Sequence, residues 1–87
     1  MTYNIGYDLD KPDQNYAALT AYLTKIGAVR VLESQWVVRS DLKPLELLNA
    51  ITAGGKVGSS DRLLVGEMPR AAWRNLLIST EKMQVLS

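Results

Sequence analysis

The chain has 87 residues, 47% of them apolar, and a formal charge of +1 from ten Lys and Arg against nine Asp and Glu. That length supports one small domain burying roughly 60% of its unfolded surface, and the balanced charge argues against a strongly basic nucleic-acid coat or an acidic tail. With neither Cys nor His present, disulfides, thiolate nucleophiles, Ser-His-Asp triads and sulfur-built zinc sites are excluded, which leaves carboxylate, hydroxyl, Lys and Arg for chemistry.

From Thr2 to Leu9 the residues alternate, with Tyr3, Ile5, Tyr7 and Leu9 in one phase and Asn4, Gly6 and Asp8 in the other, the period of a half-buried strand. Asp10-Lys11-Pro12-Asp13 is turn chemistry, and Asp13 is placed to cap a helix that runs to about Ile26 with Tyr16, Leu19, Leu23 and Ile26 on one face. Gly27 then ends that helix. Ala28 to Arg39 reads as strand, but its apolar phase slips between Val29-Val31 and Leu32-Trp36-Val38. A single extended piece of that length would reach about 40 Å, so two short strands meeting in a tight turn near Glu33-Ser34 are predicted, with one bulged, bent strand as the alternative.

Pro44 opens a second helix, from about Lys43 to Ala53, carrying Leu45, Leu47, Leu48 and Ile51, and Gly54-Gly55 closes it. The loop from Gly54 to Ser60 leads into a strand from Arg62 to Met68, whose Leu63-Leu64-Val65 block reads as buried. Beyond Pro69, a short helix over Arg70–Leu77 with Trp73, Leu76 and Leu77 inward and a last strand over Met83–Leu86 are predicted.

The order strand, helix, strand, strand, helix, strand defines an α+β protein of ferredoxin-like βαββαβ type, an antiparallel sheet with two helices on one face plus a short C-terminal helix and strand. It forms a single domain over 1–87, with its core in 2–68 and an appendage in 69–87. Open apolar edges predict a homodimer, paired through the last strand or through the strand near Leu63–Val65. No apolar run approaches the roughly 20 residues that span a bilayer, and the start of the chain lacks the features of a signal peptide, so a cytoplasmic protein with no membrane contact is expected.

The most suggestive position is Asp8, at the carboxyl end of the first strand. One carboxylate holds a catalytic metal poorly, but two copies of Asp8 converging in a two-fold dimer would suit Mg²⁺. On spacing alone, Asp8 and Asp10 read first as strand terminator and turn opener, as Asp commonly does. Arg30 and Arg39 lie in strands, where Arg on an exposed sheet face lines up with phosphates, and Ser34 at the turn between them can donate to a phosphate or simply form the turn. The run Gly54-Gly55-Lys56-Val57-Gly58-Ser59-Ser60 lacks the spacing of a phosphate-binding loop and leads from helix to strand, the reverse of that motif. Trp36 and Trp73 fall in apolar patterns and read as packing residues before base-stacking ones.

Taken together, Tyr7-Asp8-Leu9, the first helix, Gly27 followed by Arg30-Val31-Leu32-Glu33-Ser34, Pro44 and the strand Arg62-Leu63-Leu64-Val65 resemble the CRISPR-associated Cas-two family and its relatives, over about residues 3 to 68. That resemblance implies a ferredoxin-like homodimer acting on DNA or RNA, either as a Mg²⁺-dependent endonuclease or as the scaffold that holds DNA for a CRISPR integrase. It matches Asp8 to the family's metal-site aspartate and Arg30 and Ser34 to its Arg and Ser, while Leu32 replaces Gln and Gln35-Trp36 replaces Val-Phe. Virulence-associated protein D ribonucleases are similar small proteins. The alternative, from a different class, is a non-catalytic scaffold or a small regulatory binding module.

Overall fold

A computed structural model of the protein describes residues 1–9, 12–53 and 57–86, with the side chains of 12–16 outside that description. Its elements are β1 (Thr2–Asp8), α1 (Pro12–Lys25), β2 (Val29–Leu32), β3 (Gln35–Arg39), α2 (Pro44–Thr52), β4 (Arg62–Glu67) and α3 (Thr80–Leu86). The α+β class and a four-stranded antiparallel sheet follow directly, with strand order β2-β3-β1-β4. The turn expected at Asp10-Lys11 and the Gly54-Gly55-Lys56 stretch lie outside the described residues, whereas α1 already begins at Pro12, so Asp13, expected to cap the helix from just before its start, sits within its first turn.

Local chemistry sets most element ends. After α1, the amides of Gly27 and Ala28 donate back to the carbonyls of Thr24 and Leu23 at 3.1 and 2.9 Å. This paired closure needs a left-handed residue, supplied by Gly27 at φ 85°. At the start of α2, Glu46 Oε1 accepts from the Lys43 amide at 2.8 Å, occupying a donor the helix leaves free, and Pro44 needs none. The phase slip in Ala28–Arg39 has its cause in a tight turn at Glu33-Ser34 and a register shift between Arg30 and Leu32 where β2 pairs with β3.

The inward phase of β1 (Tyr3, Ile5, Tyr7) joins Trp36 and Val38 of β3, Leu19 and Leu23 of α1, and Leu47 and Ile51 of α2 in the main core. Both long helices therefore cover one face of the sheet. Within this core the Trp36 indole N–H donates to Tyr7 Oη at 3.0 Å, so the one polar atom of a buried tryptophan is satisfied without opening the core to water.

The C-terminal segment differs from expectation. Residues 70–77 form no helix and Met83–Leu86 form no strand: the chain crosses the second face of the sheet irregularly and ends in α3. Leu77 is held by its amide, which donates to the Val31 carbonyl at 2.9 Å on the outer side of β2, and Asn75 takes φ 55°, which no helix accommodates. Ser79 Oγ accepts from the Lys82 amide at 3.2 Å and starts α3 in place of a strand. Met83 is buried with Val31 and Val37, and Trp73, Leu76, Ile78 and Leu86 pack around them. Leu77, expected inward, is exposed.

Two further corrections concern exposure. Leu45 of α2 points to solvent, and β4 is an edge strand in which Leu63 and Val65 are half-buried while Leu64 is 67% exposed.

Candidate functional site

The segment over the second face covers β2, much of β3 and the Thr2 end of β1, where Thr2 Oγ1 donates to the Leu86 carbonyl at 2.7 Å. It leaves the other end open. There a concavity of about 390 Å³ is lined by Asn4, Gly6 and Asp8 of β1, Ser34 and Gln35 of the β2–β3 turn and β3, and Arg62 and Leu64 of β4. The alternation of β1 explains the lining: with Tyr3, Ile5 and Tyr7 committed to the helices, Asn4, Gly6 and Asp8 must face the other way. Gly6 makes the floor, and a Cβ built on it would meet nothing within 4 Å.

Antiparallel register sets the polar groups. Asp8 stands directly opposite Arg62, and its Oδ2 lies 3.7 Å from Arg62 Nη1, with the two side chains 77% and 84% exposed. Gly6 stands opposite Gln35, whose Nε2 donates to Asn4 Oδ1 at 2.8 Å. The Ser34 carbonyl accepts from the Tyr7 amide at 3.1 Å, which fixes the turn at the rim. The site thus offers a carboxylate and a guanidinium at one end, a serine hydroxyl across from them and an amide pair on the floor.

Of the residues singled out from sequence, the fold brings Asp8 and Ser34 into this one concavity. It does not bring in Arg30 or Arg39. Arg30 pairs with Trp36 and so shares the helix-covered side of the sheet, and Arg39 pairs with Thr2, at the opposite end of β1 from Asp8. Arg62, Asn4 and Gln35 were missed as site residues; aligning β1 against β4 as antiparallel strands would have set the opposite charges of Asp8 and Arg62 across from each other.

Among the described residues no group of three or more carboxylates comes together. Within one chain the concavity offers one carboxylate, Asp8, beside the Arg62 guanidinium, together with the Ser34 residue of the turn and the Asn4–Gln35 amide pair. Charge is unevenly spread over the molecule. Among the described residues, the open face, the turn at its rim and the segment that covers its other half carry exposed Arg39, Arg62, Arg70, Arg74 and Lys82 against Asp8, Glu33 and Glu81.

No helix among the described residues is long and apolar enough to cross a membrane. Comparison with protein-family models, with curated proteins and with solved structures gave no match.

Proposed function

We propose that the protein is a ferredoxin-like, homodimeric module that binds nucleic acid on the half-open side of its sheet and holds it without cutting it, as scaffold members of the Cas-two-like family do. The ferredoxin-like part is supported by the order β2-β3-β1-β4, antiparallel throughout, with α1 and α2 on one side. Nucleic-acid binding is carried by one observation: among the described residues, five exposed cations against three carboxylates gather on the second face, its rim and its cover, in a chain whose overall charge is only +1. Phosphates are drawn to such a face by counterion release, with little need of a high total charge. A holding role, with cleavage or integration left to a partner enzyme, agrees with a concavity whose single carboxylate already faces Arg62.

The metal-dependent nuclease reading keeps one observation in its favour, the 77% exposure of Asp8 at a strand end, which leaves it open to a second carboxylate from a partner subunit.

Fluorescence anisotropy with labelled single-stranded DNA, duplex DNA and RNA tests the proposal. Binding should weaken steeply with salt, and Arg62→Ala and Arg74→Ala should each lower the salt slope by about one. No binding to any of the three at about 50 mM salt, or slopes unchanged in both variants, would refute it.

A further inference from the structure

The outer edge of β4 is the remaining open edge of the sheet, and it carries a pattern that fits its own copy. The opposite edge, on β2, is already engaged by the Leu77 amide at the Val31 carbonyl. On β4 the Met68 amide donates to the Thr2 carbonyl at 2.8 Å, and Tyr3 stands opposite Glu67. Counting back in this register, Gly66, Leu64 and Arg62 turn their amides and carbonyls toward β1, while Glu67, Val65 and Leu63 turn theirs outward. No backbone partner meets those outward groups among the described residues.

We propose that two copies of this chain pair antiparallel through β4, with the two-fold axis at Val65, so that the sheets join into one and Leu64 of each copy rests on Gly66 of the other. This specifies the interface of the homodimer proposed above and rests on that part of the reading. In this register Val65 faces Val65 of the partner subunit, and Leu63 faces the partner's Glu67, each exchanging both backbone bonds. Leu64 then faces the partner's Gly66 at a non-hydrogen-bonded position, where side chains approach most closely.

Two features unexplained within one chain agree with this arrangement. Leu64 is 67% exposed in the middle of a strand, an apolar side chain left between Gly6 on β1 and empty space. Gly66 has no need to be glycine in the monomer: its φ is not positive, and an added Cβ would meet nothing within 4 Å. A strand glycine weakens its strand unless another chain approaches closely, and the partner's Leu64 supplies that approach. With the β2 edge engaged, pairing closes at two copies and cannot propagate into a filament.

The pairing also decides where the two concavities stand. Asp8 lies opposite Arg62, three residues from the axis and one strand in. The two Asp8 positions are therefore about 25 Å apart, at ~3.4 Å per residue and ~4.8 Å per strand. They face the same side of one sheet but do not share a metal ion.

Sedimentation equilibrium tests the dimer and cross-linking tests its register. The wild type should sediment at twice 9.6 kDa, and Leu64→Lys should raise the dimer dissociation constant at least tenfold with an unchanged circular dichroism spectrum. The chain has no Cys, so single substitutions report cleanly. An oxidised mixture of Leu64→Cys and Gly66→Cys proteins should form a covalent dimer, whereas neither alone should, because like positions sit about 8 Å apart, beyond disulfide reach. A monomer at about 200 µM would overturn both this pairing and the homodimer. A dimer indifferent to Leu64→Lys, or one whose mixture stays uncrosslinked, would overturn the pairing and leave the homodimer standing. A mass above two copies would overturn closure.

Discussion

Replacing Asp8 with Asn separates the holding reading from the cutting one. The substitution keeps the side-chain volume and removes one negative charge from the rim of the concavity. Its effect on stability should be small: with Asp8 and Arg62 77% and 84% exposed and their charged atoms 3.7 Å apart, the Coulomb attraction is about 1 kcal/mol at the dielectric of water, and side-chain ordering offsets much of it. The urea midpoint should thus report a loss under ~0.5 kcal/mol. Nucleic-acid affinity should rise about two- to fivefold, because Arg62 is freed from its neighbour and a like charge is removed from the path of phosphates. Anisotropy titrations with and without Mg²⁺, followed by gel analysis of the same samples, read both quantities at once. Wild-type cleavage that needs Mg²⁺ and disappears in Asp8→Asn, with folding intact, would refute the scaffold reading. A stability loss above ~2 kcal/mol would refute the account of Asp8 as an exposed side chain.

Tyr7→Phe should cost about 1–3 kcal/mol in urea unfolding, since it leaves the buried Trp36 N–H without the oxygen it donates to at 3.0 Å; a cost near zero would mean the indole finds another acceptor. Met83→Ala should cost about 2–3 kcal/mol, as Met83 is the buried centre of the second cluster, and increased proteolysis of residues 69–86 should accompany it. Burial, with Glu67 and Glu46 adding, holds the Tyr3 hydroxyl above its ordinary pKa of 10.0. The unfolded chain therefore releases that proton first, so stability is unaffected at neutral pH and falls as pH rises above about 10. In Tyr3→Phe that alkaline fall should be shallower, and equal slopes in the two proteins would count against the burial of the phenol.

Where one local rule governs, the sequence was readable. The two-residue period of β1 set which side chains face the helices, and Gly27 marked the end of α1 because that closure needs a positive φ. The phase slip before Trp36 announced the turn and register shift between β2 and β3. The C-terminal segment failed the same treatment because its conformation depends on distant groups. Trp73, Leu76 and Leu77 have helical spacing, but the Leu77 amide is claimed by Val31. Met83 and Val85 alternate as in a strand, although Met83 and Leu86, three apart beyond Ser79, carry the helical signal. The site was half legible for a related reason. A strand-end carboxylate can be seen in one segment, whereas Arg62 beside it and the Gln35–Asn4 bond arise only when strands far apart in the chain come into register.

The central place of β1 in the sheet has a kinetic consequence. It comes first in the chain, yet the strands on its two sides arrive roughly 30 and 60 residues later, so large loops must close before either side is paired, a topology that slows folding. In the interval, a segment with Tyr3, Ile5 and Tyr7 on one side and both backbone edges bare is a template for association with other unfinished chains. Refolding yield should therefore fall with protein concentration more steeply than the small size of the chain would suggest. Substitutions that hasten formation of the β2–β3 hairpin, onto which β1 then pairs, should restore it without altering the native state.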